Sequence, residues 1–278
     1  MPNTLTGAPA AAAIYAQVRE RAALLDAPPC LAAVSVGAQP DDLAYLHSIA
    51  QAAAGCGVTV RPVPLPADCA PETLTDTLRA LSADGAVHGV LLLRPLPAAL
   101  CAQEMLDTLD ARKDVDGMTT RSLGALVTGA AGFAPCTAEA CMELLRAHGI
   151  DPAGRRVTVV GRSLVIGRPA ALLLTRADAT VTLCHRKTSD LAARCREADI
   201  LLAAAGAPGL ITRDFVRPGQ IVLDAGATAL PDGTLRGDVA PDAAAIAVCT
   251  PVPGGIGSVT TALLLRHTVQ AAENLRHF

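Results

Sequence analysis

The chain of 278 residues is poor in aromatic side chains and lysine and has no long apolar run. Aromatic residues make up 2% of it and tryptophan is absent, so we expect leucine, valine, isoleucine and alanine to pack the core. No apolar run approaches the roughly 18–20 residues that span a bilayer. The N-terminal stretch has neither a basic start nor a long apolar run. These absences predict a cytoplasmic protein without a membrane segment.

Charge and cysteine usage exclude further classes. The formal net charge of −3 gives no general attraction to nucleic acid or to an anionic membrane. The nine cysteines form no C-x-x-C pair and the six histidines are scattered, which predicts neither a disulfide framework nor a metal site. Only two of the 23 basic residues are lysine, Lys113 and Lys187.

The order of the predicted elements indicates an α/β fold. Short apolar strands alternate with helices, an arrangement typical of parallel sheets with helical crossovers. A predicted helix at 137–148 precedes a dinucleotide-binding unit with a mostly parallel, Rossmann-type sheet, so we place a domain boundary there. The predicted domains are 1–137 with 262–278, and 138–261.

The dinucleotide prediction comes from residues 155–188. A buried strand at 157–160 leads into a turn at Gly161, Ser163 and Gly167, after which Arg168-Pro169 opens a helix. Free N–H groups at such a helix N-terminus favour a pyrophosphate. The turn is one residue longer than G-x-G-x-x-G and has serine in place of the middle glycine.

The next predicted strand ends in a basic turn, 185–188, with the sequence His-Arg-Lys-Thr. Arginine at this strand end suits a 2′-phosphate, whereas a free ribose favours an acidic residue, so we predict NADP. A ligand-free β-α-β unit with a solvated basic turn is the alternative that these residues leave open.

Two predicted loops have an unusual composition, one acidic and the other rich in glycine and proline. Residues 113–117 contain two carboxylates, and we expect them to face solvent. Residues 250–261 are rich in glycine and proline, which predicts a shaped loop before a final helix at 262–275.

Several motifs, in order along essentially the whole chain, resemble the bifunctional methylenetetrahydrofolate dehydrogenase/methenyltetrahydrofolate cyclohydrolases of one-carbon metabolism. The motifs that carry the resemblance are Tyr45, Pro95-Leu96-Pro97, Lys113-Asp114-Val115-Asp116-Gly117, Pro135-Cys136-Thr137, the Gly161–Pro169 turn, His185–Thr188, Asp224-Ala225-Gly226 and Thr250–Gly257.

The resemblance implies two α/β domains across a cleft, a tetrahydrofolate substrate, NADP, and a homodimer joined through the nucleotide domain. It implies catalytic roles for Tyr45, stacked on the folate, and Asp116, bonded to the pterin. It implies further substrate contacts at Leu93, Pro253, Gly254 and Gly255. The cofactor contacts that it implies are Gly161, Arg162, Ser163, Val165, Ile166, His185, Arg186, Thr188, Ala205, Gly206 and Thr228.

Three positions depart from the family pattern. The family motif Y-x-x-x-K ends here in Ile49, although the family uses that lysine for cyclohydrolase chemistry. Leu93 replaces a glutamine, and Ser258 replaces a proline after the glycine loop. His47 lies two positions from Tyr45, on a different helix face, and Arg94 points away from the face of Leu93, so neither replaces the lost groups.

Hydride transfer needs mainly positioning, whereas hydrolysis needs a proton carrier. We therefore predict a dehydrogenase whose cyclohydrolase activity is lost or very weak. Two alternatives stay open: a dehydrogenase for an altered folate-like substrate, and a non-catalytic protein that binds folate or nucleotide.

Overall fold

The computed structural model describes residues 4–101, 103–230 and 232–275. These residues divide into two compact units, one of residues 4–12 with Thr137–Thr260 and the other of Ala13–Cys136 with residues 261–275.

The chain alternates strands with helices, as predicted. The strands are β1 Cys30–Val36, β2 Thr59–Leu65, β3 Gly89–Leu92, β4 Arg156–Val160, β5 Thr180–Cys184, β6 Ile200–Ala203, β7 Ile221–Asp224, β8 Thr228–Ala229, β9 Leu235–Arg236 and β10 Val248–Cys249. The α-helices are α1 Ala8–Ala22, α2 Pro40–Ala54, α3 Pro71–Ala83, α4 Gln103–Leu106, α5 Thr120–Thr128, α6 Cys136–Ala147, α7 Gly167–Arg176, α8 Leu191–Glu197, α9 Pro241–Ala244 and α10 Ile256–Leu275. Short 3₁₀ turns lie at Ala98–Leu100 and Arg213–Phe215.

The unit that begins at Ala13 contains a parallel sheet of order β2-β1-β3. The central strand β1 is buried at every residue after Cys30. Strand β2 lies at the edge, where Pro62 and Pro64 are tolerated because they have no N–H to donate. Gly89 begins β3, and a Cβ there would come within 2.8 Å of the Val115 side chain. The sheet therefore packs closely on the loop that carries Asp116.

In that loop Asp114 is buried and Asp116 is partly buried, so the expectation that the two carboxylates face solvent was wrong. Lys113 is 4% exposed and its Nζ donates to the carbonyls of Leu81, at 3.1 Å, and Asp84, at 2.7 Å. Asp114 is 1% exposed and accepts from the Thr119 amide at 2.7 Å. Each buried charge has hydrogen-bonding partners that offset its desolvation, and these partners could not be read from the composition of the loop.

The other unit contains a parallel five-stranded sheet of order β10-β7-β6-β4-β5. Strands β8 and β9, which come between β7 and β10 in the sequence, form an antiparallel hairpin. The chain passes from β4 to β5 on one side and then returns to β6 on the other side of β4. Leu201, Ile211 and Val222, all 0% exposed, belong to its core. The predicted two-domain α/β fold with a Rossmann-type sheet is confirmed, and the carboxyl ends of β4 and β6 are the expected ligand position.

Three local predictions need correction. The described N-terminal residues group with the nucleotide unit rather than with the first domain, because Leu5 and Gly7 donate backbone hydrogen bonds to Cys249 and Gly254, each at 2.9 Å. Helix α10 begins at Ile256, inside the segment predicted to be a loop. Asp41 is the N-cap residue that the sequence favours for the second helix, but α2 begins at Pro40, and its N-cap is Gln39, whose amide donates to Asp42.

Within the described ranges, no helix is long and apolar enough to cross a membrane. Among the same residues, no group of three or more histidine, cysteine, aspartate or glutamate side chains could hold a metal ion.

Candidate active site

The turn after β4 needs its glycines. Gly161 has φ +126°, and a Cβ there would lie 2.0 Å from the Ala204 carbonyl oxygen. A Cβ on Gly167 would lie 2.0 Å from the Gly161 carbonyl oxygen. The backbones after β4 and after β6 therefore touch at the start of α7, where only glycine fits.

Ser163 organises this turn from within. Its hydroxyl oxygen accepts from the amide of Ile166 at 3.1 Å and lies 3.5 Å from the amide of Gly167. Val165 and Ile166 are half-buried in the turn just before the helix. The serine thus serves as a built-in acceptor at the helix N-terminus, a place where the sequence predicted only ligand contacts.

Arg162 and Arg186 occupy matching positions just beyond the ends of neighbouring strands. Val160 of β4 pairs with Cys184 of β5, and each arginine comes two residues later. Both arginines are exposed. Neither makes an ion pair with an acidic residue among those that the structure describes. The strand ends therefore present two positive charges at one edge of the sheet.

The turn that holds Arg186 is closed by its neighbours. The amide of His185 donates to the Thr188 hydroxyl at 2.9 Å, and the Lys187 amide donates to His185 Nδ1 at 3.2 Å. The Thr188 amide donates back to the His185 carbonyl at 2.8 Å. His185 and Thr188 thus shape the turn, and their side-chain bonds leave Arg186 at its exposed tip.

The loop after β6 is fixed by a residue that the sequence reasoning missed. Asp238 is 0% exposed, and its carboxylate accepts from the amides of Ala205 at 2.6 Å, Gly206 at 3.1 Å and Ala207 at 2.7 Å. Asp224 in turn accepts from the Asp238 amide at 2.9 Å. No motif in the sequence singled out Asp238, because its three partners lie 33, 32 and 31 residues earlier in the chain.

Thr228 begins strand β8, just beyond the carboxyl end of β7. With it, the predicted cofactor residues lie after the parallel strands β4, β5, β6 and β7 of one sheet. A dinucleotide fits this edge, because the glycine contact allows close backbone approach and the two arginines supply charge for phosphate.

In the other unit, Asp116 has an unusual electrostatic environment. Burial and, to a smaller extent, the nearby charge of Asp114 raise its pKa, and the net value is about 6. A hydrogen bond with Cys136 and the charges of His267 and Arg94 lower it in part. At neutral pH the carboxylate is therefore mostly ionised, and it titrates within the range where enzymes work.

Tyr45 lies on α2 within the electrostatic reach of Asp116. Burial is the main cause that raises the pKa of its phenol, with further contributions from Asp116 and Cys136, while a hydrogen bond with the Thr261 side chain lowers it. The residue as a whole is 39% exposed. The structure thus brings Tyr45 and Asp116, the two predicted catalytic residues, into one neighbourhood.

Ile49 follows Tyr45 by four residues on the same helix face and is 0% exposed. His47 is exposed, and its Nε2 lies 2.9 Å from Gln51 Nε2. His47 therefore points away from the face that Tyr45 and Ile49 share, as the helical spacing predicted.

A small cleft lies beside Asp116. Its lining residues are Val90, Leu92, Arg94, Leu106, Leu109, Asp114, Asp116 and Met118. Residues two apart on a strand share a face, so Arg94 belongs to the side of Leu92, and Leu93 faces the other way. Leu93 is 7% exposed. Arg94 thus lines the same cleft as Asp116, and its charge lowers the pKa of that carboxyl, an effect that the sequence reasoning did not foresee.

The glycine-rich loop before α10 belongs to the nucleotide unit. Pro253 and Gly254 are exposed, and Gly254 has φ +99°. A Cβ on Gly255 would lie 2.5 Å from the Pro251 carbonyl oxygen. Ser258 donates its hydroxyl to the Gly255 carbonyl at 2.7 Å. Serine in place of the family proline therefore closes the first turn of the helix, and the substrate roles of Pro253, Gly254 and Gly255 stay predictions.

Comparisons with known proteins cover the chain almost completely. Residues 5–116 match the model described as tetrahydrofolate dehydrogenase/cyclohydrolase, catalytic domain, and residues 135–276 match its NAD(P)-binding domain. The bifunctional protein FolD of Chloroflexus aurantiacus is 46% identical over 260 residues, covering 92% of this chain and 90% of that protein. FolD 1 of Rhodococcus jostii is 47% identical over 279 residues, covering 98% and 93%.

Solved structures of proteins with the same description have a fold similar to that of this chain. The bifunctional FolD methylenetetrahydrofolate dehydrogenase/cyclohydrolase of Campylobacter jejuni has a TM-score of 0.93 at 37% identity, covering 98% of both chains. The Trypanosoma brucei enzyme, solved with NADP cofactor and inhibitor, has a TM-score of 0.91 at 35% identity, covering 98% of this chain and 97% of that one.

Proposed function

The chain belongs to the tetrahydrofolate dehydrogenase/cyclohydrolase family, and we propose that it oxidises methylenetetrahydrofolate to methenyltetrahydrofolate with NADP, with little or no cyclohydrolase activity. The methylene carbon gives up a hydride, and the cation that remains is shared by its two neighbouring nitrogens. NADP, when bound, accepts the hydride. Because no hydroxyl proton has to leave in this step, positioning of the donor carbon is the main task of the protein.

Tyr45 and Asp116 support the dehydrogenase half of the proposal. Tyr45 is 39% exposed, and its aromatic ring suits stacking on an aromatic part of folate. The Asp116 carboxylate suits the N–H donors of a pterin edge, because ionised acceptors make the stronger hydrogen bonds. Burial strengthens that bond by lowering the local dielectric constant. Both groups bind and orient the substrate, and neither has to move a proton during hydride transfer.

The preference for NADP over NAD rests on Arg162 and Arg186. Their exposed guanidinium groups at adjacent strand ends match the charge and geometry of a 2′-phosphate. Arg186→Ala should lower the ratio of kcat/KM with NADP to that with NAD by about tenfold or more, since a charge-assisted hydrogen bond contributes roughly 1.5–3 kcal/mol. Lys187→Ala is the neighbouring control, and an equal loss with NAD would contradict the assignment.

The second half of the proposal, little or no cyclohydrolase activity, is supported by the buried hydrocarbon side chain of Ile49. The family lysine at this place is a proton carrier, and a positioned acid or base contributes roughly 10²–10⁴ in rate. Ile49 is 0% exposed, and the side chain of His47 is bonded to Gln51 on another face. Arg94 lies beside Asp116, but a guanidinium keeps its proton at neutral pH and is a poor shuttle. We therefore expect the methenyl product to leave the enzyme without hydrolysis.

An absorbance assay with purified protein tests the dehydrogenase. Methylenetetrahydrofolate with NADP should form NADPH and the methenyl compound in equal amounts. No NADPH, despite binding of both ligands, would favour the non-catalytic alternative. Turnover with only a different imine-forming donor would favour the altered-substrate alternative. Arg94 is the observation that favours this alternative, because it adds a positive charge to the cleft beside Asp116.

We also propose a homodimer joined through the nucleotide unit and a cytoplasmic location. Strand β5 is an edge strand of the five-stranded sheet, and its Leu183 is 41% exposed, which suits pairing with a second copy. Sedimentation should give twice the mass of one chain, and Leu183→Lys should lower the measured mass toward that of one chain. A monomer at micromolar concentration would refute the dimer.

Fractionation of cells would test the cytoplasmic location.

A further inference from the structure

Two buried aspartates are linked by hydrogen bonds at the carboxyl end of the five-stranded sheet. Asp224 is the last residue of β7 and is 4% exposed. Asp238 follows β9 by two residues and is 0% exposed. Within the ranges that the structure describes, neither makes an ion pair with a basic side chain. Backbone amides therefore offset the burial of both carboxylates.

Asp224 holds the segment that carries Asp238. Its Oδ1 accepts from the amides of Gly226 at 3.0 Å and Asp238 at 2.9 Å. Its Oδ2 accepts from the Val239 amide at 2.9 Å. The carboxylate thus closes the turn after β7 and fixes the backbone of residues 238 and 239 beside it.

Two glycines let the carboxylates approach the backbone this closely. A Cβ on Gly237 would lie 2.0 Å from Oδ2 of Asp224, and a Cβ on Gly226 would lie 2.5 Å from Oδ1 of Asp238. Each carboxylate therefore fills the space beside a glycine of the segment that carries the other one. Such reciprocal packing leaves the two segments little room to shift independently.

Asp238 extends this constraint to the loop after β6. Its carboxylate accepts from the amides of residues 205, 206 and 207. The Ala204 carbonyl, just before that loop, is the group that a Cβ on Gly161 would meet at 2.0 Å. Hydrogen bonds and close backbone contacts therefore connect Asp224 with the glycine turn after β4.

The order of the strands gives the direction in which a dinucleotide would lie. Strand β5, which precedes Arg186, is at the edge, β4 with its glycine turn is next to it, and β6 and β7 follow. With the 2′-phosphate at the arginines and the pyrophosphate at the N-terminus of α7, the nicotinamide half extends toward the ends of β6 and β7. The loop at residues 205–207 is then the part of the sheet edge that this half meets.

We propose that Asp224 is a positioning residue that acts through Asp238 to hold the loop at residues 205–207 against the nicotinamide half of NADP. Asp224 reaches the cofactor only through this second aspartate and the loop. The inference rests on the proposed function, in which NADP is the cofactor.

The test is a calorimetric titration of the full chain with NADP and, separately, with 2′,5′-ADP, which has the adenosine and the 2′-phosphate but no nicotinamide. Asp224→Asn keeps the shape of the side chain but replaces one acceptor oxygen by an NH₂ group. It should weaken NADP binding about tenfold and 2′,5′-ADP binding less than about twofold, since the lost hydrogen bonds act on one half of the cofactor.

Asp199→Asn is the matched control. Asp199 accepts from the Arg156 amide at 3.0 Å, at the opposite, amino end of the same sheet. Its variant should leave both dissociation constants unchanged. Equal weakening of the two ligands by Asp224→Asn overturns the proposal, because it would indicate a general loss of the fold, and so does unchanged binding of NADP.

A double variant tests whether Asp224 acts through Asp238. Asp238→Asn should also weaken NADP binding about tenfold, and the double variant should be no weaker than either single one. Losses that multiply to about a hundredfold would mean that the two residues act independently, and they overturn the proposal.

Hydrogen exchange in the natural protein decides the same point if Asp224→Asn does not fold. The amides of residues 205–207 should open together with those of Asp238 and Val239, with one opening free energy. Separate and faster opening of residues 205–207 overturns the proposal. A protein that binds neither NADP nor 2′,5′-ADP would refute the proposed function, while the exchange data would still show whether the two aspartates hold the loop.

Discussion

Ile49→Lys combined with Leu93→Gln should create hydrolysis of methenyltetrahydrofolate. Ile49 is 0% exposed and Leu93 is 7% exposed, so the new amine enters an apolar environment. Burial lowers the pKa of a lysine toward neutral pH, which is what a proton carrier needs. We expect hydrolysis to increase about 10²-fold over the natural chain, the lower end of the range for a positioned acid or base.

The same burial has a cost in stability. An incompletely paired amine at this position should lower the free energy of unfolding by roughly 2–5 kcal/mol. The decay of methenyl absorbance in excess protein, measured below the melting temperature of each variant, is the assay. Ile49→Met is the matched control, since it has similar volume without an amine and should cost less than about 1.5 kcal/mol. Equal hydrolysis by a folded Ile49→Lys/Leu93→Gln protein and by Ile49→Met would refute the reasoning.

Three further predictions follow from single contacts. Because the pKa of Asp116 is raised to about 6, its carboxylate is lost as the pH falls, and kcat/KM for the folate should drop roughly tenfold between pH 7 and pH 5. Asp116→Asn should remove this fall of kcat/KM at low pH, and an unchanged fall in that variant would contradict the assignment. Lys113→Met removes the donor to two carbonyls, at 3.1 and 2.7 Å, and should destabilise the fold by about 2–4 kcal/mol in urea unfolding. Lys187→Met, at the other lysine, should cost less than about 0.5 kcal/mol, and equal losses would count against the buried role. Asp238→Asn replaces one carboxylate oxygen by an amide NH₂ group, which cannot accept from the N–H groups that this carboxylate now binds. The variant should raise KM for NADP about tenfold. Asp232→Asn in the exposed hairpin is its control, and an unchanged KM in Asp238→Asn would separate that loop from cofactor binding.

The sequence was sufficient for the parallel sheets because strand burial and helix periodicity are local signals. The strand predicted at 157–160 lies within β4, and the helix predicted at 137–148 agrees with α6 to within one residue at each end. The close contact at Gly161 was also foreseeable, since a glycine that ends a buried strand before a helix indicates close backbone approach. These features depend on neighbours along the chain.

Long-range partners were not foreseeable. The buried state of Lys113 depends on carbonyls about thirty residues earlier, and the grouping of the N-terminal residues depends on strand β10. His267 reaches Val115 across 152 positions of sequence. Composition gives the cost of burying such groups, but only the fold shows the partners that offset it.

The start of α10 at Ile256 shows a different limit. Glycine and proline between residues 250 and 257 predicted a loop, but Ser258 bonds to the Gly255 carbonyl and allows the helix to begin within that segment. The prediction weighed intrinsic propensity, and a single side-chain bond outweighed it.

The most direct measurement of the central claim is the decay of pure methenyltetrahydrofolate at neutral pH with increasing amounts of the natural protein, without NADP. A buried Ile49 in place of the family lysine predicts a decay rate that matches buffer alone at every protein concentration. A rate that increases in proportion to the protein, and that Ile49→Met leaves unchanged, would contradict the account.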